Sequence, residues 1–368
     1  MKIRKIEVYG YHLSYREGAY VMSGNQVVTR LPSTVVRITT DAGLEGWGEA
    51  CPLGPLYLAA HAEGARAAIF QMAPVLIGAD PVNLSAVHVL MNAALRGHGY
   101  AKAAIDVACW DLLGKSTGQD VTTLLGGRLQ DSFPLYKAVP LGPAGAMREY
   151  VLACKQQGIQ RFQLKIGADP HEDAERVRQV VEATDSGDWI IADANGGWCL
   201  QDAMIGARLL EPMQRVFLEE PCKTLKECLH VRRHTNLPMV LDEVITDVNT
   251  LLDAFHENGM EAVNLKISKF GGLTGSKLVR DIAGQLGLRM TIEDTWGGDL
   301  VTAAVSHLAA STKSEKTLTV SFMNDWTNEH IAGYQPRSKK GVGAAPTGPG
   351  LGVEINVGEL GEPLFAVA

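Results

Sequence analysis

The sequence of 368 residues predicts an α/β protein built around a parallel β/α barrel. Short aliphatic runs, typical of strands buried on both faces, recur along its middle. Each run ends in a charged residue, and successive charged ends lie roughly 25 residues apart, which leaves room for a strand, a helix and two loops. The runs are Phe162–Lys165, Trp189–Asp193, Val216–Glu219, Met239–Asp242, Val263–Lys266 and Met290–Glu293.

Two flanking strands complete the predicted barrel, at residues 133–139 and 317–322. Helices are predicted between the strands at about 144–157, 171–184, 201–210, 224–235, 247–258, 272–286 and 300–311. Eight strands with seven intervening helices describe a modified TIM (β/α)7β barrel.

An N-terminal α+β capping domain is predicted before the barrel. Its strands are expected at residues 2–13, 33–41 and 45–50, and helical periodicity runs from about 59 to 125. The C-terminal segment is expected to complete this domain, with residues 351–357 returning as a strand and 363–365 as a tail. The predicted units are 1–127 for the cap, 128–325 for the barrel and 326–368 for the C-terminal segment.

Two loops of the cap have the composition of binding loops. Residues 15–31 contain glycines and show no period, and such a long loop in a compact domain is usually a lid. Residues 51–57 form the second loop, ahead of a helix.

Composition excludes several classes of partner. The formal charge is −7 without a long basic run, which argues against nucleic acid and anionic membranes. No signal peptide is visible and no apolar run is long enough to span a bilayer. The six cysteines lack a metal-binding spacing, so reduced thiols in a cytoplasmic enzyme are expected.

The charged strand ends predict a site, because the carboxyl ends of barrel strands converge on one mouth. Asp193, Glu219 and Asp242 would repel each other unless a cation lay among them. Oxygen ligands without His or Cys suit Mg²⁺. Lys165 and Lys266 flank these acids, and desolvation beside a metal is expected to depress their pKa values so that they act as bases. A lone strand-end acid is more often a salt-bridge residue, but six charged ends in register favour a shared site.

Several motifs in order resemble the enolase superfamily, in its mandelate racemase/muconate lactonizing enzyme group. They cover nearly the whole chain: residues 108–115 (ACWDLLGK), 124–127 (LLGG), 193–195 (DAN), 219–221 (EEP), 242–243 (DE) and 264–272 (NLKISKFGG). The resemblance implies that Asp193, Glu219 and Asp242 bind Mg²⁺ and that Lys165 and Lys266 are paired bases. The family often carries a second lysine where Gln163 stands, which bears on the basicity of Lys165.

The resemblance implies abstraction of a proton α to a carboxylate. A divalent ion offsets the charge that develops on the substrate. A lysine on each side of the α-carbon suits racemisation, in which one base removes the proton and the other returns it to the opposite face. Dehydration is equally open if the second lysine protonates a leaving hydroxyl.

Two stretches resemble family members that act on proline derivatives, namely proline betaine and hydroxyproline betaine epimerases and cis-3-hydroxyproline dehydratases. They are residues 51–57 and 293–299; residues 322–326 (FMNDW) resemble the dehydratases more. Asp294 is expected to pair with a substrate ammonium, and Trp296 and Tyr57 to form a cation–π wall. Alternatively, Trp296 packs the barrel rim and Asp294 caps the next helix. Further candidate substrate contacts are Glu293 and Asn195.

The leading hypothesis is therefore Mg²⁺-dependent racemisation or 2-epimerisation of a proline-type amino acid or betaine, a small carboxylate with a cationic nitrogen. Dehydration of cis-3-hydroxy-L-proline or a related hydroxy acid is the first alternative, and dipeptide epimerisation is another. A catalytically silent barrel that serves in assembly or binding is the alternative outside enzymes. A homo-oligomer is expected.

Overall fold

The aliphatic runs form the strands of a parallel barrel. The computed structural model describes residues 1–368 except the side chain of Asn25. The eight strands follow one another around the barrel in chain order: Tyr136–Val139, Arg161–Lys165, Trp189–Asp193, Val216–Glu219, Met239–Leu241, Ala262–Lys266, Arg289–Glu293 and Thr317–Val320. They are called the first to eighth barrel strands below. A parallel bridge between Leu135 and Val320 connects the eighth strand to the first and closes the barrel.

Seven helices cover the barrel, one after each of the first seven strands. They span Ala144–Gln156, Pro170–Ala183, Leu200–Leu210, Leu225–Arg232, Val248–His256, Leu273–Gln285 and Asp299–Ala310. Residue types that favour helix N-termini stand where these helices begin. Asp169, for example, accepts hydrogen bonds from the backbone N–H groups of His171 and Glu172, and Pro170 is the first residue of that helix. The predicted (β/α)7β barrel with an N-terminal α+β domain is confirmed.

The cap is an antiparallel sheet packed against helices. Its strands lie in the order Phe365–Val367, Ile3–Ser14, Arg30–Thr40 and Glu45–Ala50, and its helices are Ala62–Leu76, Leu84–Ala94, Gly99–Thr117 and Val121–Leu124. The helix Gly99–Thr117 packs directly on the strand Glu45–Ala50. A Cβ at Gly48 would lie 2.0 Å from the carbonyl oxygen of Ala104, so only glycine permits this approach.

A buried carboxylate fastens the cap to the mouth of the barrel. Glu49 accepts hydrogen bonds from Tyr11 (2.6 Å) and Ser33 (2.7 Å) within the cap sheet. It also accepts the backbone N–H groups of Gly298 (3.0 Å) and Val301 (3.2 Å), at the start of the seventh barrel helix. A negative charge is favoured at a helix N-terminus, so this contact holds the cap in register with the seventh strand.

The chain departs from the prediction at three places. Residues 351–357 form no strand among the described residues, and only Phe365–Val367 joins the cap sheet from the C-terminal side. The predicted first strand is divided, since Phe133–Pro134 pairs with Val342–Gly343 instead of with the barrel. The loop at 15–31 contains a short hairpin of Tyr20–Val21 with Val27–Val28.

The boundaries predicted at residues 127 and 325 stay a prediction. None of the helices in the described part of the chain combines the length and the apolar character needed to cross a membrane.

Candidate active site

Strand register brings the charged strand ends together. In the parallel ladders Lys165 lies opposite Asp193, Asp193 opposite Glu219, and Lys266 opposite Glu293. All five side chains are buried. The second and sixth strands are four places apart in an eight-stranded barrel, so Lys165 and Lys266 approach the mouth from opposite sides.

Each lysine ammonium contacts a carboxylate. Lys165 Nζ contacts Asp193, and Lys266 Nζ contacts Asp242. A third amine, on Lys269, lies 3.2 Å from Asp242 Oδ1 and 2.6 Å from its carbonyl oxygen. The buried acids are therefore compensated in part by ammonium groups.

The pKa values of the two lysines are raised by their neighbours. Burial alone would lower the pKa of Lys165, but the negative charges of Asp193 and Glu219 outweigh it and raise that pKa above its ordinary value. The same balance, with Asp242 and Glu293 as the main negative charges, raises the pKa of Lys266. The depression expected for lysines beside a metal stays a prediction; here each amine sits directly on an acid, and that contact raises its pKa. A cation shared by the acids would weaken that attraction and lower both pKa values.

Glu219 lies among polar neighbours at the centre of the group. Gln163 Nε2 donates to its two oxygens at 3.0 and 3.1 Å, and Asn264 Nδ2 donates at 2.6 Å. Burial, followed by the charges of Asp193 and Asp242, raises the pKa of Glu219 well above its ordinary value. Gln163 and Asn264 were not predicted to contribute to the site. Each stands two residues before a lysine and shares its face of the strand, a signal that the sequence contained.

The acids suit a hard cation by their chemistry. As the side chains are placed, no group of three His, Cys, Asp or Glu residues among those described is spaced to hold a metal ion. The carboxylates nevertheless lie on three neighbouring strands, where the charges of Asp193 and Asp242 help to raise the pKa of Glu219, and they supply oxygen donors alone. Such a set could hold Mg²⁺ once the ammonium groups move aside.

A small cavity of about 30 Å³ lies between the lysines. Its wall combines barrel residues with residues of the cap: Tyr20, Met22, Leu53, Tyr57, Tyr136, Gln163, Lys165, Lys266, Glu293, Asp294, Thr295, Trp296, Met323 and Trp326. Tyr20, Met22 and Leu53 come from the two predicted binding loops. The cavity is much smaller than a typical small-molecule pocket.

Tyr57 and Glu293 contact Lys266 from two sides. The hydroxyl of Tyr57 donates to Asp242 at 3.1 Å, and the ammonium of Lys266 lies 5.0 Å from the centre of its ring. Glu293 Oε1 lies 3.6 Å from Lys266, and the hydroxyl of Tyr136 donates to Glu293 Oε2. Burial raises the pKa of Glu293 to about 7.

The other predicted substrate contacts occupy different settings. Asp294 lines the cavity and accepts the N–H of Thr295 at 2.7 Å and that of Ser268 at 3.2 Å, and burial raises its pKa to about 6. It does not cap the following helix, which begins after Gly298. Asn195 lies outside the residues that line the cavity and donates from Nδ2 to Glu243 at 3.0 Å. The roles assigned to all of these residues stay predictions.

Comparison with known proteins covers the chain from cap to barrel. Residues 14–126 match the model of the mandelate racemase/muconate lactonizing enzyme N-terminal domain, and residues 146–359 match that of the enolase C-terminal domain-like family. The chain is 45% identical over 366 residues to cis-3-hydroxy-L-proline dehydratase of Roseibium aggregatum, covering 99% of each chain. It is 28% identical over 370 residues to N-succinyl-L-Arg/Lys racemase of Bacillus cereus, covering 98% of each.

Solved structures share the whole architecture. A mandelate racemase/muconate lactonizing enzyme from Roseovarius nubinhibens, complexed with magnesium, superposes with a TM-score of 0.96 at 35% identity, over 100% of both chains. A second one, from Aspergillus oryzae, has a TM-score of 0.94 at 37% identity and covers 100% of this chain and 99% of its own.

Proposed function

Because the chain belongs to the mandelate racemase/muconate lactonizing enzyme family of the enolase superfamily, we propose that it removes the α-proton of a proline-type carboxylate in a Mg²⁺-dependent reaction. We propose further that its reaction is the dehydration of cis-3-hydroxy-L-proline. One observation carries the proposal: two buried lysine amines enter one cavity from opposite sides, next to three buried carboxylates. The identity of 45% to a dehydratase of that substrate supports the choice of reaction.

The residues that would hold the ion are Asp193, Glu219 and Asp242. When bound, Mg²⁺ offsets the negative charge that grows on the substrate carboxylate as the α-proton leaves. Gln163 and Asn264 keep the Glu219 carboxylate oriented by their hydrogen bonds.

Opposed lysines suit this elimination for a stereochemical reason. In the cis isomer the hydroxyl and the carboxylate lie on the same face of the ring, so the α-proton and the hydroxyl lie on opposite faces. One lysine takes the α-proton, and the other, as an ammonium, donates a proton to the departing hydroxyl. The C2–H and C3–O bonds break, a C2–C3 double bond forms and water leaves.

Racemisation or 2-epimerisation of a proline-type amino acid or betaine is the second candidate. It needs the same opposed amines, with the second one returning a proton to carbon. The sequence alone favoured this outcome, and the 28% identity to a racemase agrees with it. The higher identity to a dehydratase, over a similar share of the chain, supports dehydration as the first candidate.

Incubation in D₂O with Mg²⁺ tests both candidates. With cis-3-hydroxy-L-proline we expect a keto or imino product; with L-proline or proline betaine, deuterium in recovered and inverted substrate would favour the second candidate. Lys165→Ala and Lys266→Ala should each slow turnover by about 10²-fold or more, as expected for loss of a general acid or base. Lys277→Ala, on the sixth barrel helix, is the matched control and should keep wild-type turnover.

Two results would contradict the proposal. The first is the absence of product and of α-exchange with every one of these substrates. The second is wild-type turnover in both lysine variants, since the assignment of the bases would then be wrong. α-Exchange that survives in only one variant identifies the lysine that faces the α-proton.

A further inference from the structure

Two buried polar atoms on the cavity wall have no hydrogen-bond partner. They are the indole nitrogen Nε1 of Trp296 and the carboxylate oxygen Oε1 of Glu293, and both residues are only 2% exposed. The Lys266 ammonium lies 3.6 Å from Glu293 Oε1, just beyond hydrogen-bond distance. An indole N–H can only donate a hydrogen bond, and an ionised carboxylate oxygen can only accept one. Buried polar groups in folded proteins are nearly always paired, so this donor and this acceptor indicate a ligand group that satisfies both.

Neither atom is free to turn toward another partner. The indole ring of Trp296 is held edge-on by three aromatic rings, with centroid distances of 5.9 Å to Tyr15, 5.4 Å to Tyr20 and 5.7 Å to Trp326. The carboxylate of Glu293 is anchored through its other oxygen, which accepts the hydroxyl of Tyr136. In this conformation both the donor and the acceptor are therefore held by their neighbours.

We propose that Trp296 Nε1 and Glu293 Oε1 together bind a hydroxyl group on the substrate ring. A hydroxyl accepts a hydrogen bond and donates one, whereas an ammonium only donates and a carboxylate only accepts. This inference rests on the proposed function and deepens it, because it makes Trp296 a specificity-determining residue. It predicts a hydroxylated ring substrate in preference to plain proline or its betaine, neither of which carries a group that meets both requirements.

The test compares α-proton exchange into D₂O for cis-3-hydroxy-L-proline and for L-proline, which lacks the hydroxyl. The wild-type enzyme should show a kcat/KM for exchange at least about tenfold higher with the hydroxylated substrate, the effect of leaving a buried donor and acceptor unpaired. Trp296→Phe keeps an aromatic ring and removes the N–H. It should lower kcat/KM for the hydroxylated substrate by about 10- to 100-fold and change that for L-proline by less than about threefold.

Trp326→Phe is the matched control, because it makes the same change in ring size at a second tryptophan of the same cavity wall. It should change kcat/KM for cis-3-hydroxy-L-proline and kcat/KM for L-proline by similar factors. If Trp296→Phe lowered kcat/KM equally for both substrates, the inference would be overturned, since ring packing alone would then explain the effect.

A wild-type enzyme that exchanges L-proline as readily as the hydroxylated substrate would also overturn it, and this result does not depend on the folding of any variant. Both of these outcomes leave the proposed α-proton abstraction standing. Absence of exchange with either substrate in the wild-type enzyme would instead refute the proposed function, and the inference with it.

Discussion

A buried histidine far from the candidate site makes the stability of this protein depend on pH. His307 lies on the seventh barrel helix and is fully buried. Its Nδ1 accepts the N–H of Thr122 from the cap at 3.2 Å, and its Nε2 donates to the carbonyl oxygen of Leu351, in the C-terminal segment, at 3.0 Å. The Thr122 hydroxyl oxygen also lies 2.7 Å from Nδ1. The buried ring thus joins barrel, cap and C-terminal segment.

Burial lowers the pKa of His307 to about 4. The unfolded chain binds this proton with a pKa of about 6.5, so between pH 6.5 and 4 the unfolded state holds more protons than the folded state. The stabilisation is therefore complete above pH 6.5, is lost as the pH falls toward 4, and changes little below that. A difference of about 2.5 pKa units corresponds to about 3.4 kcal/mol in total at 1.36 kcal/mol per unit, of which about 2 kcal/mol is lost between pH 7 and pH 5.

Urea unfolding of the wild-type protein and of His307→Gln at pH 7 and pH 5 measures this contribution of His307 to the free energy of unfolding. Glutamine carries one acceptor oxygen and a donor amide, as the neutral ring carries an acceptor and a donor, but it does not titrate. We expect the loss of stability on acidification to be about 2 kcal/mol smaller in the variant. His171→Gln, at an exposed position on the second barrel helix, is the matched control and should keep the wild-type dependence. The reasoning would be refuted if His307→Gln lost as much stability on acidification as the wild-type protein.

Two further predictions concern the metal and the lid. Mg²⁺ at a hundredfold excess over its Kd should stabilise the folded protein by about 2.7 kcal/mol, visible as a higher Tm than in EDTA, and Glu219→Gln should abolish the shift; equal Tm values with and without Mg²⁺ in the wild-type protein would contradict it. Glu17, at the start of the loop 15–31, accepts from Lys137 (3.0 Å) and Tyr150 (2.6 Å) of the barrel. Glu17→Gln should speed amide hydrogen exchange in this loop and raise KM more than it lowers kcat. Glu175→Gln, at an exposed ion pair, should leave the loop's exchange rate, KM and kcat unchanged. Unaltered exchange in the loop of Glu17→Gln would show that this contact does not hold it.

The sequence predicted the charged ends of the barrel strands because two strong periodicities coincide there. Buried parallel strands require aliphatic runs, and the barrel brings their carboxyl ends to one mouth. The barrel therefore brings Lys165, Asp193 and Glu219 together, regardless of the sequence of the intervening helices. The N-terminal cap strands predicted at 2–13, 33–41 and 45–50 formed with only their ends shifted by a few residues, whereas the strand predicted at 351–357 did not form.

The remainder of the site depends on segments without a period. Tyr20 and Met22 reach the cavity from a loop whose path is determined by tertiary contacts, among them the N–H of Leu141 bonded to the carbonyl oxygen of Val21 at 2.9 Å. Trp326 follows the last barrel strand in a short helical turn that no repeat predicts. The pairing of each lysine with one acid is likewise a matter of side-chain placement, and it raises the pKa values of both lysines.

The small cavity links the lid to the chemistry. A volume of about 30 Å³ is too small for a ring carboxylate, so such a substrate enters only if part of the wall moves. Barrel strands are pinned by their ladders and helices, whereas the hairpin that carries Tyr20 and Met22 is joined to the barrel by few bonds, including one from Ser23 to the carbonyl oxygen of Ile166. The hairpin is thus the part of the wall that costs least to displace. The same movement would release the edge-on contact of Tyr20 with Trp296, so substrate entry and the positioning of the indole N–H are expected to be coupled.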